Sequence, residues 1–127
     1  MNQALSISAA AEATGLSVDT LRYYEKIGLI APVDRMSGAR RYGEADMRWL
    51  EFLVRLRATG MSMRDMQRYA LLLRQGSTAA SVAQRQALLE EHAKRVETDI
   101  QALGDTLNYI RKKIRGYKDM QRVPKRA

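Results

Sequence analysis

The stretch Gly15-Leu16-Ser17-Val18-Asp19-Thr20-Leu21-Arg22-Tyr23-Tyr24-Glu25-Lys26-Ile27-Gly28 decides how this chain folds. Ser17 suits a helix N-cap, because its hydroxyl can accept a free N–H of the first turn; Asp19 then meets the positive end of the helix dipole. The helix is predicted to run to about Ile27 and to stop at Gly28, since glycine readily takes the left-handed conformation that closes helices. Upstream, Ser8 is predicted to cap a shorter helix that reaches about Thr14 and ends at Gly15. Two short helices joined by a tight glycine-containing turn make a helix-turn-helix. Leu21, Tyr24 and Ile27 recur at three residues and, with Leu16, are expected to pack on the first helix. Val18, Asp19, Arg22, Tyr23 and Lys26 fall on the other face. That face has the chemistry of a helix in a major groove, with its leading residues near base edges and its cations near phosphates. A merely solvated helix would show the same charges, so this helix alone leaves both readings open.

Working outward, residues 32–42 read Pro-Val-Asp-Arg-Met-Ser-Gly-Ala-Arg-Arg-Tyr, a turn centred on Ser37-Gly38 between two short candidate strands. A basic hairpin directly after a helix-turn-helix is a wing that reaches the backbone or minor groove beside the recognition helix. Residues 44–58 then form an amphipathic pattern, with Met47, Leu50, Leu53 and Val54 on one side and Arg48, Arg55 and Arg57 elsewhere. Gly60 ends it. Ser62-Met63-Arg64-Asp65 has capping-box spacing and opens another helix, reaching about Leu73. Arg64 and Arg68 are placed to touch phosphate there, whereas Met61, Met63, Met66 and Tyr69 read as core. Trp49 reads as a core anchor.

The second half has a different period. Ile100, Leu107 and Ile114 take heptad position a, and Val96, Leu103, Ile110 and Tyr117 take position d. Extended backwards, the frame places Ala79, Gln86 and Ala93 at a, and Val82 and Leu89 at d. This is the seam of a coiled coil. A helix of roughly 37 residues is about 55 Å long, too long to bury its stripe on a small head, so a second copy of the chain is the expected partner. An intramolecular hairpin is the alternative. Three segments follow: a head over residues 1–75, a dimerisation helix over 76–118 carrying Val82, Leu89, Val96, Ile100, Leu103, Leu107, Ile110 and Ile114 on its seam, and a basic flexible tail over 119–127.

Charge and composition narrow the function. The 127 residues carry 22 Lys plus Arg against 14 Asp plus Glu, a net charge of +8. The excess is uneven: net +3 over residues 1–75, −2 over 76–110 and +7 over 111–127. A polyanionic partner is favoured, nucleic acid first and an anionic membrane surface second. Cysteine is absent and His occurs once, which removes disulfides, thiolate metal sites and thiol sensing and leaves little for zinc or His-based acid–base chemistry. No nucleophile–base pair, phosphate loop or metal-ligand spacing is present, so an enzyme is not expected. No cofactor or metal is expected either. The longest apolar run, residues 69–73, is far short of the ~20 residues that span a bilayer. With no secretory signal evident, a soluble, cytoplasmic protein is expected.

The ordered set Gly15-Leu16-Ser17-Val18, Thr20-Leu21-Arg22-Tyr23-Tyr24-Glu25, Ile27-Gly28-Leu29, Arg40-Arg41-Tyr42 and Gly60-Met61-Ser62 resembles the MerR family of bacterial transcription regulators. The resemblance covers about 75 contiguous residues, and the terminal heptads match the family's architecture. It implies a mostly α-helical fold: a winged helix-turn-helix head, a second helix pair, and a long C-terminal helix that joins a homodimer through an antiparallel coiled coil. It implies double-stranded DNA as partner, at a near-palindromic operator inside a promoter spacer. There the dimer twists and bends the duplex to realign the promoter for RNA polymerase, a form of indirect readout. Matched residue by residue, it puts Arg22, Tyr23, Arg40, Arg41 and Tyr42 on DNA and Ser17, Val18, Asp19 and Thr20 nearest the bases. Lys26 and Arg64 join them from the faces described above.

Met47-Arg48-Trp49-Leu50-Glu51-Phe52-Leu53 and Thr59-Gly60-Met61-Ser62 are similar to the branch that answers aldehydes and electrophilic stress. That branch's sensor cysteine is replaced here by Arg55, so the resemblance implies a small-molecule or stress signal not read by a thiol. Arg55 is the candidate for holding an anionic effector, against the plainer reading of an arginine in a salt bridge. His92, at a g position, reads as a packing residue. Gly43 stands where the family often has a Ser or Thr cap. A rival from another class is a basic coiled-coil interaction module held to acidic partners or anionic surfaces by residues 111–127. It accounts for the tail but not for the recognition face or the wing.

Overall fold

The computed structural model describes residues 4–31, 34–36 and 39–122. In chain order these form β1 (Leu5–Ser6), α1 (Ile7–Thr14), α2 (Val18–Lys26), β2 (Asp34–Met36), β3 (Ala39–Tyr42), α3 (Glu44–Ala58), α4 (Met63–Arg74) and α5 (Ala79–Arg122). They divide into two compact units, Met1–Leu89 and Glu90–Ala127.

The helix boundaries follow local chemistry. The Ser17 hydroxyl accepts the Thr20 N–H at 3.0 Å, and Ser62 does the same for Asp65 at 3.1 Å. Gly43, which has no side chain to offer, starts α3 by donating its own N–H to the Asp46 carboxylate at 2.9 Å. Gly15 and Gly28 close α1 and α2 with φ of 75° and 79°, a backbone conformation costing other residues roughly 1–2 kcal/mol. Ser17→Ala is expected to lower the stability of the first unit by about 1 kcal/mol, measurable as a reduced urea midpoint at unchanged slope.

Two early expectations are corrected. The cap of α1 is Ser6, whose hydroxyl accepts the Ala9 N–H at 3.1 Å; Ser8 lies inside the first turn. Ser6 also belongs to β1, a strand that the sequence pattern does not announce. β1 pairs antiparallel with β3 (Leu5 with Tyr42, Ser6 with Arg41), and β3 pairs with β2, giving the order β1-β3-β2. The hairpin is therefore stitched to the start of the chain. Its Ser37-Gly38 tip and Pro32-Val33 lie outside the described residues.

The core of the first unit joins Leu21 and Tyr24 of α2 to Ala10 of α1, Leu50, Leu53 and Leu56 of α3, and Met61 and Met66 at the α3–α4 corner. Each fully buried leucine contributes about 1.5–3 kcal/mol. Met63 corrects the core reading: it is 36% exposed, as the first residue of α4 and three positions ahead of the buried Met66. Trp49 is a structural anchor, stacked on Tyr69 at 5.6 Å and edge-on to Phe52 at 6.3 Å.

The long helix starts earlier in function than its heptads suggest. Thr78 caps it, accepting the Ser81 N–H at 3.1 Å, and the buried Ser81 hydroxyl donates to the Leu72 carbonyl at 2.8 Å. Leu89 packs against the head core, whereas Val82 is exposed. The compact first unit thus runs to Leu89, past residue 75, and Leu89 lends part of its side chain to the head core. The helix is also longer than expected, 44 residues through Arg122 or about 66 Å, so residues 119–122 are helical and not a flexible tail. Residues 123–127 lie outside the described residues. His92 is buried, in keeping with a packing role.

Candidate nucleic-acid interface

Among the residues expected to meet DNA, α2 presents four together. Asp19, Arg22, Tyr23 and Lys26 are all exposed, and at 3.6 residues per turn they share one arc of about 100°. Arg22 and Asp19 lie 3.6 Å apart, with side chains 55% and 94% exposed. A pair so open to water is held by about 0–1 kcal/mol, and the guanidinium can leave it for a phosphate. Tyr23 offers its phenol from an exposed position. Ser17 and Thr20 stand at the leading end, their hydroxyls bonded to each other at 2.8 Å. Val18, beside them, is half-buried against the core, with part of its side chain open to solvent.

What holds this helix in place is largely non-local. Tyr24, next to the exposed Tyr23, turns inward, and its hydroxyl receives a hydrogen bond from Arg57 at 2.8 Å. The carbonyls of the three residues that follow α2 each receive a donor from a distant side chain. Gln67 Nε2 reaches the Ile27 oxygen at 3.1 Å, an Arg74 guanidinium nitrogen the Gly28 oxygen at 2.6 Å, and Trp49 Nε1 the Leu29 oxygen at 3.0 Å. The Arg74 bond is charge-assisted and the strongest in kind. Sequence reasoning missed Arg57, Gln67 and Arg74 as positioning residues. The signal available was the need for donors after Ile27, but nothing local names a donor 46 residues away.

The wing divides differently. Tyr42 is fully buried, which corrects the expectation that it touches DNA; its ring packs in the head core and anchors β3 from beneath. Arg41 is half-buried, and its Nε is shut off from solvent without a hydrogen-bond partner among the described residues. The side chain of Arg40 lies outside the described residues. On α4, Arg64 sits exposed in the first turn, with Arg68 exposed one turn on. Arg55 is exposed on the last turn of α3, and among the described residues it has no ion-pair partner. Among the described residues no cluster of His, Cys, Asp and Glu could hold a metal ion, and no helix is long and apolar enough to cross a membrane.

Two family models match this arrangement, the MerR HTH family regulatory protein over residues 5–72 and the MerR DNA-binding region over residues 47–115. The chain belongs to the MerR family. Curated MerR-type relatives include the HTH-type transcriptional regulator AdhR of Bacillus subtilis, 37% identical over 73% of this chain and 66% of AdhR. Another is the HTH-type transcriptional regulator HmrR of Sinorhizobium medicae, 36% identical over 80% of this chain and 68% of HmrR. Among solved structures, HiNmlR, a MerR family regulator lacking the sensor domain and bound to promoter DNA, superposes with a TM-score of 0.82. It is 34% identical and covers 93% of both chains. A MerR family regulator from Listeria monocytogenes gives the same TM-score at 35% identity, over 90% of this chain and 86% of that one. The chain is accordingly a DNA-binding transcriptional regulator of the MerR type, of a family of regulators and not of enzymes.

Proposed function

We propose that this MerR regulator acts as a homodimer that grips a near-palindromic operator within a promoter spacer and distorts the duplex to control RNA polymerase. The observation that carries the reading is the face of α5: Ile100, Leu103, Leu107, Ile110 and Ile114 form one stripe at heptad spacing, and all are 45–70% exposed. A contiguous aliphatic stripe of this kind marks an interaction surface, and a second copy offers the same stripe in return. Pairing of two such helices presents two recognition helices to one duplex, which matches an inverted-repeat site. The promoter-bound state of HiNmlR, similar over nearly the whole chain, supports the same reading. Ser17, Asp19 and Thr20 stand nearest the bases, and Arg22, Tyr23, Lys26, Arg40, Arg41 and Arg64 bind or flank the phosphates. The signal is a small molecule or stress that no thiol reads, because the chain has no cysteine; Arg55 is the candidate contact for it.

Selection of bound duplexes from a random library tests the reading, and two half-sites in inverted orientation are expected. A recovered single half-site, or equal binding to all sequences, would overturn it. On the selected site, Arg22→Ala is expected to weaken binding about tenfold, uniformly across sequences. It should also lower the slope of log affinity against log salt by about 1 per subunit. A fluorescence anisotropy titration at three salt concentrations reads both.

A further inference from the structure

The seam explains the apolar stripe of α5 but not the charges beside it. In the heptad frame, Glu90, Glu97, Arg111 and Lys118 fall at e, and Asp99 and Lys113 at g, the positions that flank a coiled-coil seam. All six side chains are exposed, and among the described residues none enters an ion pair within its own chain. The signs segregate: the three acids lie in the first half of the second unit and the three cations in the second half.

We propose that these six residues form a charge code through which α5 selects a second copy of itself in one direction and one register, with the dyad midway between Leu103 and Leu107. This rests on the dimer reading above. About that dyad, two antiparallel helices bring Leu103 opposite the partner's Leu107, Ile100 opposite the partner's Ile110, and Val96 opposite the partner's Ile114. Each of these layers is then apolar. The flanks follow without further choice. Asp99 lies beside the partner's Lys113, Glu97 beside the partner's Arg111 and Glu90 beside the partner's Lys118, each with an axial offset of about 3 Å. The twofold axis makes six attractive pairs.

Competing arrangements lose this match. A slip of one heptad leaves Asp99 beside the partner's Met120 in one sense and beside the partner's Thr106 in the other, and keeps one kind of attractive pair, Glu97 with the partner's Lys118 or Glu90 with the partner's Arg111. A parallel pairing sets Lys113 against the partner's Lys118 and Asp99 against the partner's Gly104. Exposed ion pairs are individually weak; the six together discriminate, because a slipped register keeps only one kind of pair out of three and parallel pairing adds a Lys–Lys contact. The apolar stripe supplies affinity, and the flanks supply direction.

The test is a charge-swap cycle on the full chain, read as the dimer dissociation constant by sedimentation equilibrium at low salt. Asp99→Lys and Lys113→Glu are each expected to raise it about tenfold, since each turns two attractive pairs repulsive. Combined in one chain, Asp99→Lys/Lys113→Glu is expected to return it to within about twofold of the parent, and the single-variant losses are expected to shrink in 1 M salt. Both positions are exposed, so folding is not at stake. A double variant no tighter than the singles, or tightening by Lys113→Glu alone as parallel pairing requires, overturns the code while leaving the dimer intact. A parent chain that sediments as a monomer overturns the dimer reading and the code with it.

Discussion

Replacing Leu103 and Leu107 together by glutamate is expected to leave the chain monomeric and to cut its affinity for an operator about 100- to 10,000-fold. The two leucines are 70% and 45% exposed on an isolated α5, and they face each other across the dyad of the proposed dimer. Four leucines leave the seam per dimer, each contributing about 1.5–3 kcal/mol of burial. Four carboxylates then occupy an apolar interface, where an unpaired charge is strongly penalised. The DNA effect follows from geometry. In a dimer the second head binds its half-site at the effective concentration set by the first, a gain of about 10²–10⁴ in affinity that needs no new contact. A monomer retains only the contacts of one head. Sedimentation velocity reads the mass, and anisotropy on a symmetric duplex reads the binding. The sole tryptophan, Trp49, sits in the first unit, and its emission is expected to stay unchanged, which separates loss of pairing from loss of the head. Unaltered operator affinity in a demonstrably monomeric variant would refute the two-headed grip.

Leu21→Ala is expected to destabilise the head by about 3–4 kcal/mol and to abolish DNA binding near the growth temperature. Leu21 is fully buried on the inner side of α2, directly behind the exposed Arg22. Its loss removes transfer energy and leaves a cavity in the core it shares with Leu50, Leu53 and Tyr24. Small domains hold only about 5–15 kcal/mol in total, so the variant forfeits a large share. Trp49 emission during urea denaturation measures the change. Binding at low temperature is expected to survive with normal sequence preference, because no surface group has been altered.

Much of the fold was legible because its signals are local. Ser17 and Ser62 each cap the helix that follows by accepting the N–H three residues on, and Gly15 and Gly28 close helices by their own backbone freedom; four adjacent residues carry the whole signal. The long helix was legible for a related reason: an apolar stripe repeated over several turns overdetermines the helix that carries it. The exposed quartet of α2 was also visible, since helical period alone assigns faces. Where neighbours compete, the pattern misled. Ser6 and Ser8 are equally good caps, and the choice fell to Ser6 because residues 5 and 6 pair with β3. Tyr42 follows two arginines and reads as part of a basic surface, yet alternation along β3 turns it inward.

Spacing along the chain was enough to specify the helices, their order and the apolar stripe of α5, because each depends on intervals of four residues or fewer repeated until one answer remains. Packing in three dimensions was needed to show that Tyr42 lies in the core with Leu89 and Val18 partly buried against it, and that Arg57, Gln67, Arg74 and Trp49 hold α2 and the residues just after it from 20 to 46 residues away. Those partners meet through folding, and no local period records which of several arginines or carbonyls will be within reach.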